Sequence, residues 1–388
     1  MTGEHHGIFD DLVDQQPAIE VLNRAISAAH TDGSESQEMS HAWLFTGPPG
    51  SGRSTGAIAF AAALVCPQQG CGKCQECTTA KAGNHPDVEI YQTQGLSIKV
   101  DDVRDLVVRA AWSPSTSRYR VVIIEDCDRL TESAANALLK AIEEPGAQTV
   151  WLLCAPSLDD VIPTIRSRLR ALTLRSPSPD SVKDLLISEG IDEKKAIFAA
   201  RAAGGHIGRA RYLARDEAAR TARLNTLKAT LSITDITSAF NSAGKIVDAA
   251  KEEANRIADE KNEREISALR EAWGEQGSRL ASGGSKALKE LEKDQKSRLT
   301  RMVRDYLDQS LLDIASLFRD VLIVQISPSD ASSRVINIDL WDAIRARSEK
   351  ERAEKIMEKI EIIMKTRELL KFNAAPLSTI EALMVQLR

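Results

Sequence analysis

Gly47-Pro48-Pro49-Gly50-Ser51-Gly52-Arg53-Ser54-Thr55 is the stretch that decides the fold. A short apolar run, His41 to Thr46, leads into it, and an alanine-rich run to Val65 leads out. Strand, glycine-rich turn and helix in that order aim backbone N–H groups at a phosphate. The glycines Gly47, Gly50 and Gly52 let the chain wrap, and Ser54 and Thr55 open the helix. One position departs from the phosphate-loop pattern. Arg53 stands where a slim lysine would reach the β and γ phosphates. A guanidinium is planar and bulkier, so the exchange is not conservative. Two readings stand at this point: a loop that holds nucleotide, and a glycine turn that holds none.

The flanking sequence alternates strand and helix patterns. Val88–Tyr91, Arg120–Glu125 and Thr149–Ala155 read as short strands, the second rich in Val and Ile. Val100–Ala111 has helical spacing at positions 103, 106, 107 and 110, and Thr131–Glu144 reads as a helix capped by Thr131 and ended at Pro145. The alternation predicts an α/β fold, a parallel P-loop sheet with helices on both faces. Glu125 and Asp126 end one strand, where acids would hold Mg²⁺ and orient water. The usual order is Asp then Glu, and here it is reversed. Asp126 and Asp128 could equally cap or pair locally.

Cys66, Cys71, Cys74 and Cys77 crowd into twelve positions. In a reducing compartment such crowding points to metal rather than disulfides. Tetrahedral zinc held by four thiolates fits, with Gly70 and Gly72 allowing tight turns; an iron–sulfur centre or free thiols are the alternatives. The set has no histidine, so the site reads as structural. Cys127 and Cys154 lie at strand ends and read as plain buried residues.

Bulk properties set limits. The 388 residues suffice for two or three domains, with 43% hydrophobic and 28% charged residues. The net charge of -5 argues against a chain that grips DNA with its whole surface. No signal peptide is evident near the N-terminus, and the longest apolar run is about half of what a membrane span needs. These features predict a cytoplasmic protein with no membrane contact. Arg166-Ser167-Arg168 follows the Thr149–Ala155 strand. Arg168 could reach a phosphate held by an adjacent subunit, or sit in an ordinary surface ion pair.

After Arg175 the character changes. From Ser181 onward nearly everything reads as helix, with a break at Gly204-Gly205 and no clear strand pattern from 222 to 388. Residues 245–305 are dense in charge and broken near Gly274, Gly277 and Gly283-Gly284. They read as a solvated helical hairpin or a partly disordered insertion.

Three further segments carry a resemblance. Phe9-Asp10-Asp11-Leu12-Val13-Asp14-Gln15 resembles the opening box of clamp-loader ATPases, with Asp14 replacing a glycine. Ala134 to Pro145, AANALLKAIEEP, is similar to a segment of that family, and Arg166-Ser167-Arg168 to its Ser-Arg-Cys motif. The match covers about residues 8–215. It implies an AAA+ module at 1–175 with a zinc insertion at 66–77, a small helical lid at 176–218 and an all-α collar at 219–388. Within the family, Arg53, Glu125-Asp126 and the apolar Cys154-Ala155-Pro156 resemble the delta-prime branch, not the motor branch. Gly205-His206-Ile207-Gly208-Arg209 resembles a shifted sensor box. The resemblance implies a defective ATP site, with ATP and Mg²⁺ left open as ligands, and Arg168 as a finger acting in trans. It also implies gamma/tau motor and delta subunits as partners, with the beta sliding clamp and primer-template DNA reached through the complex. No motif supports polymerase or exonuclease chemistry in the chain itself.

Overall fold

The computed structural model describes residues 7–31, 38–146, 148–273, 275–276, 279–280, 284–371 and 374–388. It divides into two compact units, Met1–Arg211 and Tyr212–Arg388.

The first unit is built on five parallel strands: β1 (Ala42–Thr46), β2 (Val88–Tyr91), β3 (Arg120–Ile124), β4 (Thr149–Ala155) and β5 (Arg170–Thr173). Their spatial order is β2-β3-β4-β1-β5. Register pairs Trp43 with Leu152 and Val122 with Trp151. Strand side chains alternate between faces. Trp43, Phe45, Val121, Ile123, Leu152 and Leu172 therefore share one core with α1 (Gln16–His30) and α2 (Arg53–Val65). Leu44, Val122, Ile124, Trp151 and Leu153 share the other. That second core is closed by α4 (Val100–Ala110) and α5 (Glu132–Glu143), while α3 (Gln75–Lys81) packs on α2. Burial on both faces explains why the strands read as continuous apolar runs. The Thr131 hydroxyl accepts from the Ala134 N–H, as its capping role requires.

Strand β5 is absent from the sequence-based expectation. It is four residues long with exposed Ala171 and Thr173, so it offers little period to detect. A one-turn helix, α6 (Pro163–Arg166), precedes it, and α7 (Pro179–Ser188), α8 (Glu193–Ala202) and α9 (Ile207–Arg215) follow. Gly204 and Gly205 break the last two helices at φ values of +58° and +89°.

The second unit is helical: α10 (Glu217–Leu231), α11 (Ile236–Trp273), α12 (Gly284–Ile326), α13 (Ala331–Arg334), α14 (Trp341–Lys350), α15 (Ala353–Lys371) and α16 (Pro376–Gln386). The charged 245–305 region thus falls on two long helices that pack along each other. Arg298 donates to Glu265 at 2.6 Å and to Asn262 at 2.6 Å across them. The predicted breaks at Gly274, Gly277 and Gly283 lie outside the described residues. One strand pairing contradicts an all-helical reading beyond 222. Glu275–Gln276 pairs with Arg279–Leu280, too short to leave a sequence pattern. Leu227, Ile246, Leu311, Phe318, Ile356 and Leu383 form the core of this unit. Beside it, Arg223 donates to Asp313 at 2.8 Å and to Asn337 at 2.7 Å, all nearly buried.

Entry to β3 is fixed by a buried carboxylate. Asp87 accepts from the N–H groups of Ser115, Thr116 and Ser117 at 2.6, 2.8 and 2.9 Å, and from two of their hydroxyls. Burial alone would raise this carboxyl, but the donors outweigh it and hold it at about 2. An unfolded Asp titrates near about 3.9. The stabilisation is therefore complete above that value and is lost as pH falls toward 2. Asp87→Asn is expected to lower the urea midpoint at neutral pH, with the gap to wild type closing between about pH 4 and pH 2. A gap that does not change with pH would contradict this account.

Candidate functional site

The phosphate loop leaves β1 at its carboxyl end. Gly47 donates to the Pro156 carbonyl beyond β4 at 3.1 Å, and Ser51 donates back to Pro48 at 3.0 Å. Gly47, Gly50 and Gly52 all hold positive φ, the last as the residue that opens α2. The buried Gln15 fixes the loop from behind. Its side-chain amide donates to the Arg175 carbonyl at 2.7 Å and to the Ser51 carbonyl at 3.4 Å, and its Oε1 accepts from the Arg175 N–H. Asp14, in place of the expected glycine, keeps a positive φ of +58°. Its carboxylate accepts from the Ser178 N–H at 2.8 Å and the Ser181 hydroxyl at 2.7 Å, which lowers its pKa and anchors the start of α7.

Arg53 begins α2, and its Nη1 is buried with no hydrogen-bond partner, as is the Ser51 hydroxyl. The guanidinium acts electrostatically on Asp128, Cys127, Cys154 and His206. At the end of β3, Glu125 extends the ladder by donating to Tyr91 at 2.9 Å. Asp126 turns into the left-handed region at φ +52°, with its carboxylate 3.8 Å from Arg129. Burial raises the Asp128 carboxyl, aided by the neighbouring Asp126. Cys127 and Cys154 are buried, and burial pushes both thiols up. Glycine loop and acids therefore meet at one strand edge. Ser54 is half-buried and Thr55 exposed on the first turn of α2.

The sequence placed His206 only within a shifted sensor box; its contact with the phosphate loop has no signal in local spacing. A Cβ on Gly50 would lie 2.3 Å from the His206 Cα, so only glycine fits there. Arg209 turns its Nη1 to the Ala202 carbonyl at 3.1 Å.

Arg168 lies past α6, with its side chain 39% exposed. Its Nε donates to Glu143, and its Nη1 to the Thr164 carbonyl at 2.8 Å and the Ser167 hydroxyl at 3.2 Å. Arg166 pairs with Asp159 at 2.9 Å.

The four cysteines gather behind α2. Their sulfurs all lie within 4.8 Å of one another, with Cys66 3.8 Å from Cys71 and 3.6 Å from Cys74. A tetrahedron of thiolates about 2.3 Å from one ion has edges near 3.8 Å, so the set fits a metal. N–H groups of Gln68, Cys74 and Cys77 donate to the sulfurs of Cys66, Cys71 and Cys74. The N–H groups of Lys73 and Cys74 pull the Cys71 thiol down to about 6, while burial pushes Cys77 up. Gly70, at φ +95°, turns the loop where a Cβ would meet Ala63 and Ile8 at 3.0 Å. Glu76 ties the module to the sheet through His85 at 2.5 Å, and His85 Nδ1 accepts from the Asp87 N–H. Among the described residues no helix is long and apolar enough to cross a membrane.

The family described as DNA polymerase III, delta subunit, matches residues 22–178. The delta-prime subunit of DNA polymerase III from Bacillus subtilis is 33% identical over 42% of this chain and 50% of its own length. The delta-prime subunit from Haemophilus influenzae is 36% identical over 42% of this chain and 51% of its own. A gamma/tau subunit from Mycobacterium tuberculosis is 31% identical over 51% of this chain and 35% of its own. The chain thus spans about half the length of the delta-prime relatives it matches.

The cysteine geometry carries a test. Metal analysis of the purified protein is expected to find one ion per chain, and Cys74→Ser to lose it. Chelation should speed hydrogen exchange across 66–81 and leave β3 and β4 protected; retention of the ion by Cys74→Ser would contradict the assignment. With its phosphate loop and strand-end acids, the chain is similar over residues 22–178 to the family described as DNA polymerase III, delta subunit, and to delta-prime subunits of DNA polymerase III.

Proposed function

We propose that the chain is a delta-prime-type stator of the DNA polymerase III clamp loader, acting in the cytoplasm. It would help a ring of gamma/tau motor subunits and a delta subunit place the beta sliding clamp on primer-template DNA. One observation carries this reading. The chain's own phosphate loop carries Arg53 for lysine and reversed acids beside it, while Arg168 stands half exposed on the surface.

In this role Arg168 faces the γ-phosphate of ATP held by a neighbouring subunit. Charge builds on the transferring phosphoryl group, and a guanidinium fixed beside it stabilises that charge. The ion pair with Glu143 and the bond to Thr164 hold the guanidinium fork at a set orientation before docking. An exposed pair of this kind contributes little to stability, so a neighbour's triphosphate can compete for the arginine. Zinc at Cys66, Cys71, Cys74 and Cys77 would have a structural role, bracing the loop against α2 and residues 7–8. The unpartnered Nη1 of Arg53 favours a second reading, in which nucleotide with Mg²⁺ is still held and the chain works as a motor subunit.

The deciding experiment reconstitutes the loader with Arg168→Ala. The variant is expected to fold and assemble. The ATP site it serves should lose about 10³-fold in turnover, lowering DNA-stimulated ATPase of the whole complex. Unchanged ATPase in the assembled ring would remove the finger assignment.

A further inference from the structure

His206 lies 156 positions from Gly50 in the chain and yet rests directly on it. A Cβ at Gly50 would come within 2.5 Å of the His206 Cβ and Cγ as well as 2.3 Å of its Cα. On the other side, a Cβ at Gly208 would lie 3.3 Å from the imidazole Cε1. The ring therefore sits in a slot between one glycine of the phosphate loop and one glycine of α9. Its Nδ1 accepts from the Arg209 N–H at 3.2 Å, which caps the helix and fixes the ring plane. Burial, with the Arg209 and Arg53 cations nearby, lowers the imidazole pKa from its ordinary value. The approach to His206 is equally tight: a Cβ on Gly205 would meet Ser176 at 2.9 Å and the Pro177 carbonyl at 3.1 Å. In the same loop, Arg53 Nη1 and the Ser51 hydroxyl are buried without hydrogen-bond partners. The loop retains groups that suit a phosphate, and α9 is docked over it.

We propose that His206 is an internal stopper: it seats the start of α9 on the phosphate loop and keeps the phosphates of a nucleoside di- or triphosphate out until that segment lifts. The inference deepens the reading of the ATP site as impaired, and rests on it. Arg53 weakens the loop's chemistry, while His206 restricts access. If the open form is a minor population, apparent affinity falls by that fraction, and removing the stopper restores it.

The test titrates the full chain with ADP bearing a fluorescent methylanthraniloyl group. His206→Ser is the informative variant, because serine still caps α9 but has no ring to fill the slot. His206→Ser is expected to bind the probe about ten-fold or more tightly than wild type. Hydrogen exchange across 47–55 should quicken in the unliganded variant. Circular dichroism and thermal unfolding close to wild type establish that the cap holds, and a second variant, His206→Asn, should show the same gain. Equal or weaker probe binding by both variants overturns the stopper. Brisk ATP turnover by the wild-type chain would instead sink the stator reading and leave the comparison of affinities standing.

Discussion

A parallel sheet buried on both faces sends every strand's carboxyl end to one edge, and the phosphate loop, the strand-end acids and Arg168 follow strands that end there. The phosphate loop follows β1, Glu125 and Asp126 follow β3, and Arg168 follows β4 by way of α6. Ligands bind at such edges because helix N-termini and loose loops collect there. The sheet does not need a ligand to hold it. Each fully buried Leu, Ile, Val or Phe contributes about 1.5–3 kcal/mol, and the two cores contain many. The left-handed turn at Asp126 costs about 1–2 kcal/mol against that. A chain of this design can lose nucleotide chemistry and keep the geometry that presents an arginine.

Charge at the loop follows from the same arrangement. Arg53 is held at the loop because it starts α2, and its Nη1 is buried there. Its field reaches Asp128, Cys127 and Cys154, and burial raises the pKa of all three. In an ordinary phosphate loop a lysine and a magnesium ion share the work of neutralising phosphate. Here a broader cation sits among acids of which Asp126 already faces Arg129. Arg168, by contrast, is held outward by Glu143, a residue of the same α5 segment that carries the family resemblance.

What the sequence disclosed follows the range of the interactions involved. The strand-loop-helix unit, the Thr131 cap and the cysteine cluster are encoded within a few residues, so periodicity and spacing disclosed them. The glycine replaced by Asp14 is legible only as a departure; the structure supplies its reason, since aspartate tolerates positive φ and its carboxylate reaches Ser178 and Ser181. Strand β5 escaped because a four-residue strand with exposed positions has no distinctive pattern. The partners of Gln15, the seat of His206 on Gly50 and the Glu143 hold on Arg168 all join residues distant in sequence. Single-chain spacing rules do not reach contacts of that kind.

On the function proposed above, this chain would borrow a nucleotide fold to present a cation to another subunit. The most direct test of this is steady-state ATP turnover by the purified chain alone, with and without primed DNA. The account predicts no turnover above background in either condition. Sustained, DNA-responsive hydrolysis by the isolated chain would contradict it.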